Sequence, residues 1–273
     1  MVLIVLYPLY FVVIASFSDP QMVNSGKVLL APKNIMFDGY IKTFSYSLLW
    51  TGYRNTVFYT FLGTILNLTV TMLAAYSLSR KVFHGKKAIM FYMIFTMYFS
   101  GGLIPTFLQV QKLGLYNNWL VMVVSGLVNV MNIIICRTYM MSSIPEEINE
   151  AATMDGATHW VNFTRITLPL SKPIIAVMAL FFAVGHWNNF WTAMIYIDNR
   201  NLYPLQLVLR GILTSNQIDP DLLADYDNVV RQQNMVEQMK YSLIIVSSVP
   251  LIAIFPFVQK YFEKGIMIGS IKG

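Results

Sequence analysis

Apolar residues run through this chain in long stretches separated by short polar links. A helix needs about 20 mostly apolar residues to cross a bilayer. Six such stretches occur, at roughly 1–17, 54–79, 87–109, 117–141, 172–197 and 240–262. The pattern predicts an all-α, polytopic membrane protein with six transmembrane helices, forming one domain over residues 1–273. Tyr40, Phe44, Tyr46, Leu48, Leu49 and Trp50 predict an interfacial helix leading into the second span. That span carries Asn67, Thr69 and Thr71, polar groups suited to bonding between helices. In the third, Ser100-Gly101-Gly102 and Pro105 predict a break or kink, tolerated at membrane depth where backbone lines a cavity.

The longest amphipathic stretch between spans is the loop 143–169. Ser143 and Glu146 have the spacing of a capping box ahead of a first helix through Ile148, Ala151 and Ala152. Gly156 supplies a left-handed turn, Thr158 caps a second helix, and Pro169 predicts its end near Leu168. Ala151 and Ala152 leave a shallow surface for close approach. The loop's carboxylates, Glu146, Glu147, Glu150 and Asp155, would be repelled by anionic lipid, so a protein partner fits better than a headgroup layer.

Composition supports the membrane assignment: 56% of residues are apolar and 12% charged. The net charge of +6 reads as basic anchors at membrane faces rather than as a nucleic-acid footprint. Arg80, Lys81, Lys86 and Lys87 mark the link between spans two and three as cytoplasmic. The loop 143–169, two spans later, then faces the cytoplasm too, as does the tail 260–273 with Lys260, Lys264 and Lys272; the N-terminus is expected on the same side. The first span starts without a charged lead, and Ala15-Ser16-Phe17 is a poor cleavage site, which favours an anchor over a signal peptide. The single cysteine, Cys136, excludes an internal disulfide framework.

Glu150-Ala151-Ala152, three residues, Gly156, nine residues, then Ile166-Thr167-Leu168-Pro169 resembles the Glu-Ala-Ala loop of bacterial ABC importer permeases. That resemblance implies a coupling helix that docks into a groove on an ATP-hydrolysing subunit. It assigns coupling roles to Glu150, Ala151, Ala152, Asp155, Gly156, Ile166, Leu168 and Pro169, with Glu150 facing a basic group of the ATPase. The segment Ile197–Gln206, the external loop 198–239 and the tail 260–273 resemble the MalG-like oligosaccharide branch of the family. In that branch the loop probes the solute-binding protein and the tail runs along the ATPase subunits. The resemblance implies a second permease subunit (a heterodimer), two ATPase subunits holding ATP and Mg, an external binding protein, a sugar substrate and a place in the bacterial cytoplasmic membrane.

No Gly-x-x-x-x-Gly-Lys-Ser/Thr, His-Glu-x-x-His or Gly-x-Ser-x-Gly motif occurs, so the residues predict no enzyme, no bound cofactor and no metal site in this chain. The fifth span carries Gly185-His186-Trp187-Asn188-Asn189-Phe190-Trp191, about 20 Å from Pro173 along a helix. Aromatic faces, amides and an imidazole suit a carbohydrate path through His186, Asn188 and Asn189; an interfacial tryptophan girdle with a packing asparagine is the structural reading of the same residues. Asn129 and Asn132, three apart on the fourth span, either face a pore or lock helices together. Asp219, Asp221, Asp225 and Asp227 lack the glycine and closing glutamate of a calcium loop and read as solvated. Two rivals remain: an ABC permease for a peptide or polyamine, and an ion-coupled secondary carrier, which the near-absence of charge within the spans disfavours.

Overall fold

Where no water reaches the backbone, each segment must satisfy its own amides, and among the described residues there are helices and turns but no strand. The computed structural model describes residues 2–214 and 229–270; for residues 3, 229–233, 254, 255 and 257–270 it describes the backbone alone. The helices are α1 (Val2–Ser16), α2 (Pro20–Asn24), α3 (Asp38–Ser45), α4 (Ser47–Ser79), α5 (Lys86–Tyr98), α6 (Leu103–Lys112), α7 (Leu120–Val124), α8 (Val130–Ser143), α9 (Glu146–Met154), α10 (His159–Leu170), α11 (Lys172–Trp187), α12 (Trp191–Tyr196), α13 (Leu205–Thr214) and α14 (Val229–Ser270).

Among the described residues, α4 alone is long and apolar enough to cross a bilayer as a single helix. The number rises to three if the bent pairs α5–α6 and α10–α11 each count as one span. Several of the six predicted spans are therefore broken helices, and each break has a local cause. The α5–α6 pair bends by 113°. Gly102, at φ +84°, makes that turn where the Gly/Pro cluster predicts it. The fourth predicted span separates into α7 and α8, because Gly126 takes φ +80° and Asn129 leaves the helix to cap α8. The fifth stops at Trp187 and resumes at Trp191.

The expected external loop is more helical than its polarity suggests. The stretch 198–239 contains α13, which buries Leu205 and Val208, and the start of α14. Its acidic run at Asp219, Asp221, Asp225 and Asp227 lies outside the described residues. The tail is helical to Ser270, with residues 271–273 outside the described set. Gly265 and Gly269 each cost about 1 kcal/mol in a helix.

The chain forms two compact units, Met1–Val57 with Asn188–Ile254, and Phe58–Trp187 with Phe255–Gly273. In the first, Ile14, Ala15, Val23 and Val28 form a small core against Phe11, Met22 and Tyr241. Gly39 lets α3 lie against α14: its N–H donates to Gln238 Oε1 at 3.1 Å, and a Cβ there would stand 2.7 Å from Gln238 Cγ. Beside it the Thr43 and Ser242 hydroxyls bond at 2.8 Å. In the second unit, Met72, Ala75 and Tyr76 of α4 pack with Cys136 and Met140 of α8, Ile144, Phe163 of α10, and Ile174, Met178 and Phe182 of α11. Cys136 is fully buried in this hub.

Candidate functional site

The loop 143–169 is built as two short helices around a left-handed turn. α9 ends in a Schellman motif: Ala157 N–H donates to Ala152 C=O at 2.9 Å and Gly156 N–H to Thr153 C=O at 3.1 Å, with Gly156 at φ +79°. Thr158 Oγ1 then accepts from Val161 N–H at 3.3 Å and caps α10, as its position predicts. The start of α9 differs from the capping box expected of Ser143. α8 runs on through Ser143, Ile144 turns extended, and Pro145 takes the N-cap position without a side-chain bond. Glu146, released from that box, instead accepts from Asn149 Nδ2 at 3.3 Å and pairs with Arg80 at 3.8 Å.

The expected stop at Leu168 also moves. α10 passes through Pro169 to Leu170, because Asn162–Thr167 widens into a π-helical turn. Widened turns shift the hydrogen-bond register and let a residue without an N–H be carried in the next turn. The chain bends by 81° only afterwards, between α10 and α11.

The two faces of α9 are chemically distinct. Asn149 and Ala152 point inward, at 4% and 7% exposure, whereas Glu150, Ala151, Met154 and Asp155 are exposed, Met154 at 88%. Gly156 and Pro169 are exposed, and Ile166 and Leu168 half-buried, with Leu168 packed on the second unit's core. Of the two alanines, Ala151 is exposed and Ala152 buried. The end of α4 grips both arms of the loop. Arg80 reaches Glu146 at the start of α9 and stacks 5.5 Å over the Tyr76 ring. Tyr76 Oη donates to His159 C=O at 3.1 Å at the start of α10, and its ring lies 5.1 Å from Phe163. Counted as a topology marker, Arg80 gives no sequence signal for this role.

The predicted substrate-path residues are divided between the two units: Asn129, Asn132 and His186 in one, Asn188 and Asn189 in the other. His186 meets Asn67: Asn67 Nδ2 donates to Gly126 and Leu127 C=O, each at 3.0 Å, so its Oδ1 accepts from His186 Nε2 at 2.8 Å. The pair thereby holds the break between α7 and α8, and the packing role of Asn67 predicted from its position is observed. Gly63 on α4 faces the imidazole so closely that any Cβ would collide with it. An isolated glycine inside an apolar helical run is the signal that marks such an approach. Asn129 and Asn132 are not neighbours on a helix face, because Asn129 Oδ1 accepts from Asn132 N–H at 3.0 Å as the cap of α8.

Asn188 and Asn189 belong to the other unit. Asn189 Oδ1 accepts from Thr192 N–H at 3.2 Å at the start of α12. Asn188 is exposed and accepts from Gln206 Nε2 at 3.5 Å. Beside them Arg210 of α13 lies 5.1 Å over the Phe190 ring and touches Met194 Sδ. α13 is itself fixed to the start of α4, where Asn55 Nδ2 donates to Asn201 and Tyr203 C=O at 2.7 and 3.0 Å. Thr56 Oγ1 accepts from Leu205 N–H at 2.8 Å.

Comparison with known proteins identifies the architecture. Residues 67–268 match the family described as binding-protein-dependent transport system inner membrane component. The chain is 36% identical over 272 residues to the polygalacturonan/rhamnogalacturonan transport system permease protein YtcP of Bacillus subtilis (strain 168), covering 99% of this chain and 94% of that protein. It is 30% identical over 285 residues to the galactooligosaccharides transport system permease protein GanQ of the same organism, covering 100% and 92%. Among solved structures it is similar to a bacterial ABC transporter involved in the import of the acidic polysaccharide alginate, with TM-score 0.88 and 32% identity over 96% of this chain and 92% of that one. An exposed α9 on a doubly anchored loop and likeness over the whole length lead to one assignment: the chain belongs to the inner membrane components of binding-protein-dependent transport systems, the ABC transporter permeases.

Proposed function

We propose that this chain is one of two permease subunits of an ATP-driven carbohydrate importer, with an oligosaccharide as its cargo. The outward face of α9 carries the proposal: Glu150, Ala151 and Met154 form a small, exposed ledge on a loop whose other face is locked to α4. Such a ledge suits docking into a groove on a separate ATPase subunit, where ATP and Mg would be held. The relatives named for oligosaccharide and polysaccharide transport support a carbohydrate cargo over a peptide or polyamine.

In this reading the bent pairs α5–α6 and α10–α11 each serve as one span, α1, α4 and α14 supply others, and α7 with α8 completes six. The loop 143–169 lies between spans four and five on the cytoplasmic side, together with both termini. An external binding protein delivers the sugar. ATP closes two ATPase subunits, and the motion enters the membrane helices through α9 and α10. One chain is too small to enclose a sugar-sized path, so a second, different permease forms the other half.

Affinity purification of the tagged chain from its native membranes tests this assembly. Recovery of a second permease and an ATPase, with oligosaccharide uptake by the reconstituted complex, is the expected outcome. A chain recovered alone that carries sugar without ATP would sink the importer reading and favour a secondary carrier.

A further inference from the structure

The unit built from Met1–Val57 and Asn188–Ile254 contains a second chemical cluster beyond the coupling loop. Arg210 lies over the Phe190 ring and against the Met194 sulfur, and among the described residues no carboxylate stands within ion-pair distance of it. A guanidinium has five N–H donors in a planar fork. An aromatic face and a thioether position that fork without neutralising it. The adjoining amides are loosely engaged: Gln206 Nε2 reaches Asn188 Oδ1 at 3.5 Å, the far limit of a hydrogen bond, and Asn188 is exposed. Trp191 is 55% exposed and meets Phe190 edge-on at 6.4 Å. Arg210 and Gln206 stand on α13, whose start is fixed by Asn55 and Thr56, while Asn188 and Trp191 flank Phe190 before and at the start of α12.

From this juxtaposition we infer that Arg210, Asn188, Gln206 and Trp191 form a subsite for an acidic sugar residue, a uronate, and that this importer carries acidic oligosaccharides. The fork takes the uronate carboxylate in a bidentate, charge-assisted pair, which a lysine does not reproduce. The amides exchange their loose mutual bond for ring hydroxyls, and the indole covers the apolar face of the pyranose. A neutral sugar would offer the fork hydroxyl acceptors but no countercharge. The inference rests on the carbohydrate reading above and narrows its substrate class. It agrees with the polygalacturonan/rhamnogalacturonan and alginate named for two of the similar proteins.

The test is binding of trigalacturonate, and of its fully methyl-esterified form, to the purified permease–ATPase complex without its binding protein. Binding-protein-stimulated ATP hydrolysis is measured alongside. We expect Arg210→Gln to weaken trigalacturonate binding about tenfold and to leave binding of the ester unchanged. Arg210→Lys, which keeps the charge and removes the fork, gives an intermediate loss for the acid alone and carries the test if the glutamine variant does not assemble. An equal loss for acid and ester would overturn the subsite. So would unchanged binding with lost stimulation, which would assign Arg210 to a carboxylate of the binding protein instead. A wild-type complex that neither binds nor imports any oligosaccharide would overturn the carbohydrate reading itself.

Discussion

Gly63 sits where one methyl group decides whether two helices can meet. Its missing Cβ makes room for the His186 imidazole, whose bond to Asn67 in turn secures two carbonyls of a helix break. Gly63→Ala would force the ring aside, and overpacking of this kind costs about 1–3 kcal/mol. Thermal unfolding of the purified complex should show that loss, and His186→Ala in the same chain should return part of it. Full additivity of the two substitutions would mean that they do not share the contact. Gly156 is constrained differently. At φ +79° an alanine costs about 1 kcal/mol, whereas proline can neither reach that angle nor donate the N–H that Thr153 accepts. Gly156→Ala should therefore slow transport modestly and Gly156→Pro should abolish it, with the chain still present in the membrane.

Among the elements, α9 and α10 move as one only if something ties their beginnings together, and the end of α4 does so through Arg80 and Tyr76. Arg80→Glu or Glu146→Arg alone places like charges at a half-buried contact and should reduce substrate-stimulated ATP hydrolysis several-fold; the exchanged pair should recover most of it. Normal stimulation in both single variants would remove this contact from the path of the motion. The turn at Gly156 and the cap at Thr158 are legible in the sequence because each needs one residue type at one position. Other features are hidden by competition between neighbours. Ser143 reads as a cap until Pro145 claims the helix start, and Leu168-Pro169 reads as a stop because no sequence rule announces the π-helical turn before it. The break at 125–129 is masked by the apolar residues on both sides, although Gly126 and Asn129 carry its signal. The Arg80, Tyr76 and Arg210 contacts join residues far apart in the chain, which periodicity cannot reveal.

For the whole molecule, the two faces of α9 separate assembly from folding. Ala151 is exposed and Ala152 buried. Ala151→Trp should leave the chain's stability unchanged while the ATPase is lost from the purified complex. Ala152→Trp should destabilise the chain itself by about 1–3 kcal/mol, so its failure to recover partners would say nothing about docking. Equal recovery of ATPase with Ala151→Trp would place the docking surface elsewhere.

The burial of Cys136 has a practical consequence for following such assemblies. The chain has one cysteine, and its side chain is sealed inside the hub of α4, α8, α10 and α11. Thiol reagents act on accessible thiolates, so maleimide labels and crosslinkers have nothing to find on the native surface. A cysteine introduced at Met154 or Glu150 would then be the single reactive handle of this subunit, ready for a fluorophore or a spin label without first rebuilding the protein's interior.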